Sequence, residues 1–335
     1  MKFFRILSGA LIIICCAFTL LYGRYKIVES GVDTTPENYK GVITIWQIDS
    51  FEGGIGSRKQ YLLKVARAFE KKYQGVLVMV INQTPEGVIN AYKNGQIPDL
   101  ISYGTGTEIK GCEQILTDRK VSGGMVGDTC YATAWCRGGY VLLTNPNLTA
   151  NLDIKDKNIE KVLVSQGEFT QPLTSFILEG YRASEIEILD PMSAYIKFTS
   201  GKVSHFLATQ RDICRLINRG MEFNVIPLEN YNDLYQYISI TSLNVQKRFY
   251  AQQFVNYLVS DSVQESLSLI GMYSPYVNVE YSETQHQLMQ KVKSNINVSA
   301  FTSTITLKEM QRLSTLAVKG DENALNKIKN MCIMS

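Results

Sequence analysis

The apolar positions of the chain change period along its length. Residues 41–48, GVITIWQI, are apolar at nearly every position, the pattern of a strand buried on both faces of a parallel sheet. From 57 to 73 the period lengthens: Leu62, Val65, Ala66 and Phe69 recur at helical spacing, which predicts an amphipathic helix. A strand at 76–82 follows, then a helix at 85–94 opened by Thr84-Pro85-Glu86 and closed by Gly95, then a strand at 98–103. This β-α-β-α-β order predicts a doubly wound parallel sheet. After residue 120 the glycine-rich run GGMVGDTCYATAWCRGGYVLLTN predicts strands crossing out of that sheet. A second α/β unit is expected from helices at 156–165, 170–181 and 191–200, a strand at 203–207, a helix near 210–219 and a strand at 223–227. Residues 231–242 read as an extended return. Helices are expected at 246–259 and 262–269, the second with capping-box spacing from Ser262 to Glu265. Residues 283–335 read as largely helical.

The pattern before residue 41 is different. Between Arg5 and Arg24 lie eighteen uncharged residues, ILSGALIIICCAFTLLYG, preceded by a basic start. As a helix they extend roughly 27 Å, close to a ~30 Å hydrocarbon core and longer than the usual apolar part of a signal peptide. The length favours a retained membrane anchor in 1–26; cleavage near Tyr22 and lipidation at Cys15 or Cys16 remain as alternatives. Residues 27–40 are polar and rich in turn formers, a tether, so the body is expected outside the cell membrane.

Composition narrows the function. At 335 residues and 45% apolar content, the chain has material for two domains and is not disordered. The net charge of +3 comes from the first 26 residues; the remainder carries 30 basic against 31 acidic residues and no basic block, which argues against nucleic-acid binding. The two histidines, His205 and His286, are far apart and no cysteine pair has zinc spacing, so neither metal nor cofactor is expected. Five cysteines lie in the body: Cys112, Cys130, Cys136, Cys214 and Cys332. Buried free thiols are favoured over a bridge among the first three. No nucleophile elbow, P-loop or zincin motif occurs, and Gly104-Thr105-Gly106 lacks the third glycine of a dinucleotide fingerprint because Ile109 stands there. Asp49 and Glu52 are expected to serve the following helix start rather than catalysis.

Ligands of open α/β sheets bind outside the carboxyl ends of the strands. There this chain places WQIDSFEGG after the first strand and YGTG after the third. Glycine permits close backbone approach, and Trp46 and Tyr103 offer flat faces for a sugar ring, with core packing as the other reading of Trp46. Arg58 and Arg211 are candidates to pair with a ligand carboxylate or phosphate, with a solvated or interdomain ion pair as the other reading of each.

The runs ITIWQIDSFEGG, RAFEKKY, PDLISYGTG, FTSGKVSHFLATQRDI and QQFVNYLVSDSVQESLSLIGMYSP, in that order, resemble extracellular solute-binding proteins of family 1, the substrate receptors of ABC importers. The resemblance covers about residues 41–280. It implies a two-lobed type II periplasmic-binding-protein-like fold, each lobe a doubly wound sheet flanked by helices, with the ligand cleft at the hinge. It divides the body into 41–136 plus 238–280 for lobe 1 and 137–237 plus 281–335 for lobe 2. By the same resemblance Trp46, Asp49, Phe51, Glu52, Gly53, Gly54, Ser57 and Arg58 form the first-lobe lip of the cleft, with Tyr103 and Gly104 beside them. Trp135, Arg137 and Gly138 lie near a hinge crossing; Thr209, Gln210, Arg211, Tyr231, Asn232 and Asp233 face the cleft from the second lobe. The expectation is a monomeric, non-enzymatic receptor for a small polar solute, a carbohydrate foremost, that serves ABC permease subunits. A membrane-held sensor or structural protein that keeps the fold without transport is the alternative, and a cleft hydrolase a more remote one.

Overall fold

In the computed structural model, which describes residues 39–149 and 157–334, the apolar run is strand β1 (Gly41–Ile48). Helix α1 (Arg58–Lys72) starts where Ser57 caps it by accepting from the Gln60 amide. It buries Tyr61, Leu62, Val65, Ala66 and Phe69, the stripe its periodicity predicts. β2 (Val76–Gln83), α2 (Pro85–Lys93, capped by Thr84) and β3 (Leu100–Tyr103) follow as expected. The short hairpin β4 (Met125–Val126) and β5 (Thr129–Cys130) leads into β6 (Thr133–Arg137). After Gly138-Gly139 the chain enters β7 (Tyr140–Thr144) and a single helical turn, α3 (Pro146–Thr149).

The segment 156–165, expected as a helix, is instead strand β8 (Asn158–Ser165). α4 (Pro172–Leu178) then ends at Gly180, whose φ of 95° suits glycine alone, and β9 (Arg182–Leu189) is a strand the apolar pattern did not signal. Both misreadings have one cause. β9 is an edge strand whose alternate positions carry charge, with Glu185 in register with Lys161 and Glu187 with Leu163. Lys161 pairs with both glutamates between the strands and Lys197 of the following helix pairs with Glu187, so helix-favouring charged residues are satisfied across the chain. α5 (Pro191–Thr199), β10 (His205–Thr209), α6 (Gln210–Arg219) and β11 (Asn224–Pro227) complete this unit. The chain returns as β12 (Tyr235–Ile240), then α7 (Val245–Leu258) and α8 (Asp261–Gln264). Ser260, not Ser262, stands at the N-cap of α8. The carboxy-terminal segment is α9 (Thr284–Lys291), β13 (Ile296–Asn297), α10 (Thr304–Ala317), α11 (Glu322–Met331) and β14 (Ile333–Met334).

Two five-stranded sheets result. The first has the order β2-β1-β3-β12-β6 and the second β11-β7-β10-β8-β9. Each keeps a parallel core, β2-β1-β3 in one and β10-β8-β9 in the other, and each is extended by antiparallel strands from the crossings. Alternate residues of the second sheet feed two apolar layers. Tyr140, Leu142, Val162, Val164 and Leu207 pack with α4, α10 and α11, while Val141, Leu143, Leu163, Phe206 and Ala208 pack with Phe198, Ile213 and Met289. The first sheet buries Trp46, Ile101, Tyr103 and Tyr237 with Val88 and Ala91 of α2. This is a two-lobed α/β architecture with helices on both faces of each sheet. Cys112, Cys130, Cys136, Cys214 and Cys332 are free thiols. No helix of the described residues is long and apolar enough to cross a membrane; the expected anchor 1–26 and most of the tether lie outside the described residues.

Candidate functional site

The carboxyl ends of β1, β8, β9 and β10 meet around a cavity of about 490 Å³. The first sheet contributes Asp49, Ser50, Phe51, Glu52, Gly53, Gly56, Ser57 and Arg58; the second contributes Ser165, Gly167, Thr170, Pro191, Thr209 and Arg211. Helices α1, α5 and α6 begin at its wall: Arg58, Pro191 and Arg211, each in the first turn of its helix, are lining residues.

Arg58, the first residue of α1, organises the first-lobe lip. Its side chain is almost fully buried; Nε pairs with Asp49 Oδ1 at 2.7 Å and Nη1 donates to Gln236 Oε1 at 2.9 Å. Nη2 donates to the Phe51 carbonyl, and the guanidinium lies 4.3 Å from the centre of the Phe51 ring. Gln236 in turn donates to the Ile48 carbonyl at 2.9 Å, which ties the lip to β12. Gly54 sits under the lip with its Cα against the backbone of Ile270 and Gly271: a Cβ there would stand 2.2 Å from the Gly271 carbonyl oxygen. Gly54→Ala is therefore expected to lower the unfolding free energy by about 1–3 kcal/mol. Gly53→Ala, whose Cβ would meet its nearest atom at 3.5 Å, is expected to stay within about 0.5 kcal/mol. Urea unfolding of the two variants checks the difference.

The start of α6 reaches across from the second lobe. Thr209 caps it in a box with Asp212. Gln210 Oε1 accepts from the Gly139 amide at 3.0 Å while its Nε2 donates to the Glu52 carbonyl at 3.2 Å. Arg211 Nη1 donates to the Gly54 carbonyl, and Arg215 pairs with Glu52 at 2.8 Å and with Asp212 at 3.3 Å. Asp212 is wholly buried, and that burial pushes its carboxyl up to about 7 against the opposing pull of Arg215. Asp49 and Glu52 thus hold arginines; the cap of α1 is Ser57.

Of the sequence candidates, Asp49, Phe51, Glu52, Gly53, Ser57, Arg58, Thr209 and Arg211 line the one cavity. Gly54 and Gly104 pack beneath the lip, Gly104 against Ser50. The remaining candidates do not line it. Trp46 is 6% exposed and packs toward Tyr92, with ring centres 5.9 Å apart. It pairs in register with Ile81 and Ile101, two residues short of the strand end, so its ring covers the sheet face instead of projecting past it. Tyr103 is fully buried, its hydroxyl 3.0 Å from Ser239 Oγ. Trp135 stacks on Tyr61 and donates to Ser102 Oγ at 2.9 Å, inside the packing of the first sheet.

Arg137, Gly138, Gln210, Tyr231, Asn232 and Asp233 build the crossing between the sheets. Arg137 Nη2 donates to the Gln290 carbonyl at 2.7 Å, Gly138 N to the Leu234 carbonyl at 2.7 Å, and Asn232 Nδ2 to the Gly138 carbonyl at 3.2 Å. Tyr231 accepts at its carbonyl from Ser175 Oγ at 3.0 Å, and Asp233 Oδ1 accepts from the Tyr140 hydroxyl at 2.7 Å. Sequence reading missed Ser50, Gly56, Ser165, Gly167, Thr170 and Pro191. Ser165 ends β8, Gly167 and Thr170 lie in the loop beyond it, and Pro191 lies just beyond β9; for these four the signal was a strand end hidden by charge.

Neither a protein-family model nor a curated protein matches the chain by sequence. Solved structures match its fold. The sugar-binding protein MalE of Xanthomonas citri aligns over 87% of this chain and 96% of its own, with 13% identity and a TM-score of 0.62. The galacto-N-biose-/lacto-N-biose I-binding protein of an ABC transporter from Bifidobacterium longum aligns over 87% and 96%, with 11% identity and a TM-score of 0.57. Iron-bound HitA of Pseudomonas aeruginosa aligns over 82% and 99%, with 14% identity and a TM-score of 0.53. The chain has the two-lobed fold of the periplasmic solute-binding proteins.

Proposed function

We propose that the chain is the solute-binding receptor of an ABC importer, held on the outer face of the cell membrane by residues 6–23. It captures a small polar solute, a carbohydrate foremost, between its lobes and delivers it to the permease subunits. The observation that carries this reading is the cavity itself: strand ends of both sheets open into one space of about 490 Å³, within the range of small-molecule sites. The sugar-binding neighbours support the carbohydrate class. No covalent step is needed; affinity would come from hydrogen bonds made as the lobes close.

A thermal-shift screen of the purified chain against sugars, amino acids and phosphorylated solutes tests it. A true solute at 100 times its Kd stabilises by about 2.7 kcal/mol, and the solute recovered afterwards should be chemically unchanged. A panel with no stabilising member would overturn the receptor reading, and a converted solute would favour a hydrolase. The topology is tested separately: protease added to intact cells should remove the body, and full protection would refute an outward-facing anchor.

A further inference from the structure

We propose that the solute carries an oxyanion, a carboxylate or phosphate group, and that Arg211 is its counter-ion; this rests on the receptor reading above and narrows it. The cavity wall carries two acids, Asp49 and Glu52, and two arginines, Arg58 and Arg211, but they are not paired with one another throughout. Asp49 is paired with Arg58 at 2.7 Å and Glu52 with Arg215 at 2.8 Å. Arg211 has no carboxylate partner among the described residues. One of its Nη atoms serves the Gly54 carbonyl, while its Nε is buried without an acceptor. Its position makes that cation costly, because it stands in the first turn of α6, where the helix dipole disfavours positive charge. Nothing in the helix accounts for it, and an anion in the cavity would.

The uncharged polar residues of the wall are Ser50, Ser57, Ser165, Thr170 and Thr209, all with hydroxyls. Ser50 lines the cavity and is 8% exposed, with its unpartnered hydroxyl buried against Gly104. Ser165, 3% exposed, stands at the end of β8, while Gly53, Gly56 and Gly167 leave backbone within reach. A guanidinium with hydroxyls beside it suits the two oxygens of a carboxylate or the three of a phosphate. The means for stacking a neutral sugar are reduced. Phe51 is the one aromatic ring among the lining residues, and the Arg58 guanidinium already lies over it.

The test is binding of neutral sugars, the corresponding sugar acids and sugar phosphates, and inorganic phosphate to the full-length protein, followed by calorimetry and repeated at two salt concentrations. The expected result is that an acid or phosphate member binds, its neutral parent binds at least tenfold more weakly, and added salt weakens the interaction. The carboxylate and phosphate arms separate the two sources of the oxyanion. Arg211→Gln should weaken that binding by about 10- to 100-fold. Glu52→Gln, which removes a negative charge from the same wall, should strengthen it severalfold. Both substitutions remove or disturb a bond between the lobes, so a merely structural role would shift both in the same direction. Neutral sugars bound equally well by the wild type and Arg211→Gln would overturn the proposal while leaving the receptor intact. Failure of every solute, neutral and anionic, would overturn both.

Discussion

Trp135→Ala is expected to lower the unfolding free energy by about 3–5 kcal/mol, the range for truncating a large aromatic in a closed core. The side chain is wholly buried in β6, lies nearly parallel to the Tyr61 ring at 5.7 Å and donates its indole N–H to Ser102. Truncation leaves a cavity that rigid strands cannot fill, removes a stacked pair and takes one of two donors from the buried Ser102 hydroxyl, which keeps Gln236 Nε2 at 3.1 Å. Trp46→Ala is expected to cost a comparable amount for the same reason, since its ring closes the layer formed with Val88, Ala91 and Tyr92. Neither residue touches the cavity, so solute affinity should stay within about twofold of wild type in the folded fraction. Guanidinium unfolding with parallel calorimetry checks both statements. A Trp46→Ala protein of native stability that had lost binding would instead make Trp46 a ligand platform and contradict its placement in the core.

The second large effect depends on pH. Burial pushes the carboxyl of Asp233 up to about 7, with the Tyr140 hydroxyl pulling the other way through its hydrogen bond. The native protein therefore retains this proton through a range, from about pH 4 to 7, in which the unfolded chain has already lost it. The sign follows: stability from this group is complete at low pH and is lost as pH rises toward 7. Asp212 acts in the same direction. His205 and His286 act in the opposite one, because burial lowers both and costs stability as pH falls below about 6.5.

Asp233→Asn isolates the first contribution. Its carbonyl oxygen still accepts from Tyr140, but it has no proton to lose. Between pH 5 and pH 8 the variant should gain about 2–3 kcal/mol relative to the wild type. Denaturant unfolding at the two pH values measures that gain, and parallel pH profiles for the two proteins would show that Asp233 does not hold a proton in the native state.

The elements read correctly were those whose signal is local. β1 is apolar throughout because both of its faces are covered, and α1 shows its buried stripe at Leu62, Val65, Ala66 and Phe69. Thr84-Pro85 announces α2 because a capping hydroxyl and a preset φ act within one turn. β8 and β9 escaped because their glutamates and lysines are satisfied between strands, a pairing no window along the chain contains. The same division runs through the cavity. Asp49 to Arg58 were legible as a loop between a strand end and a helix start. Trp46 was misplaced because a strand's period states that a residue alternates faces, not which face looks into the core.

What the sequence determined by itself was the order of elements from β1 to β3, the presence of two α/β units and the position of the first lip, all consequences of hydrogen bonds and burial within a few residues. The tertiary structure decided which arginine is neutralised and which is left over. Arg215 meets Glu52 across 163 residues of chain, while Arg211 meets no acid among the described residues. Charge pairing depends on distance in space, and distances of that kind exist only once the chain has passed between the sheets and brought their strand ends together.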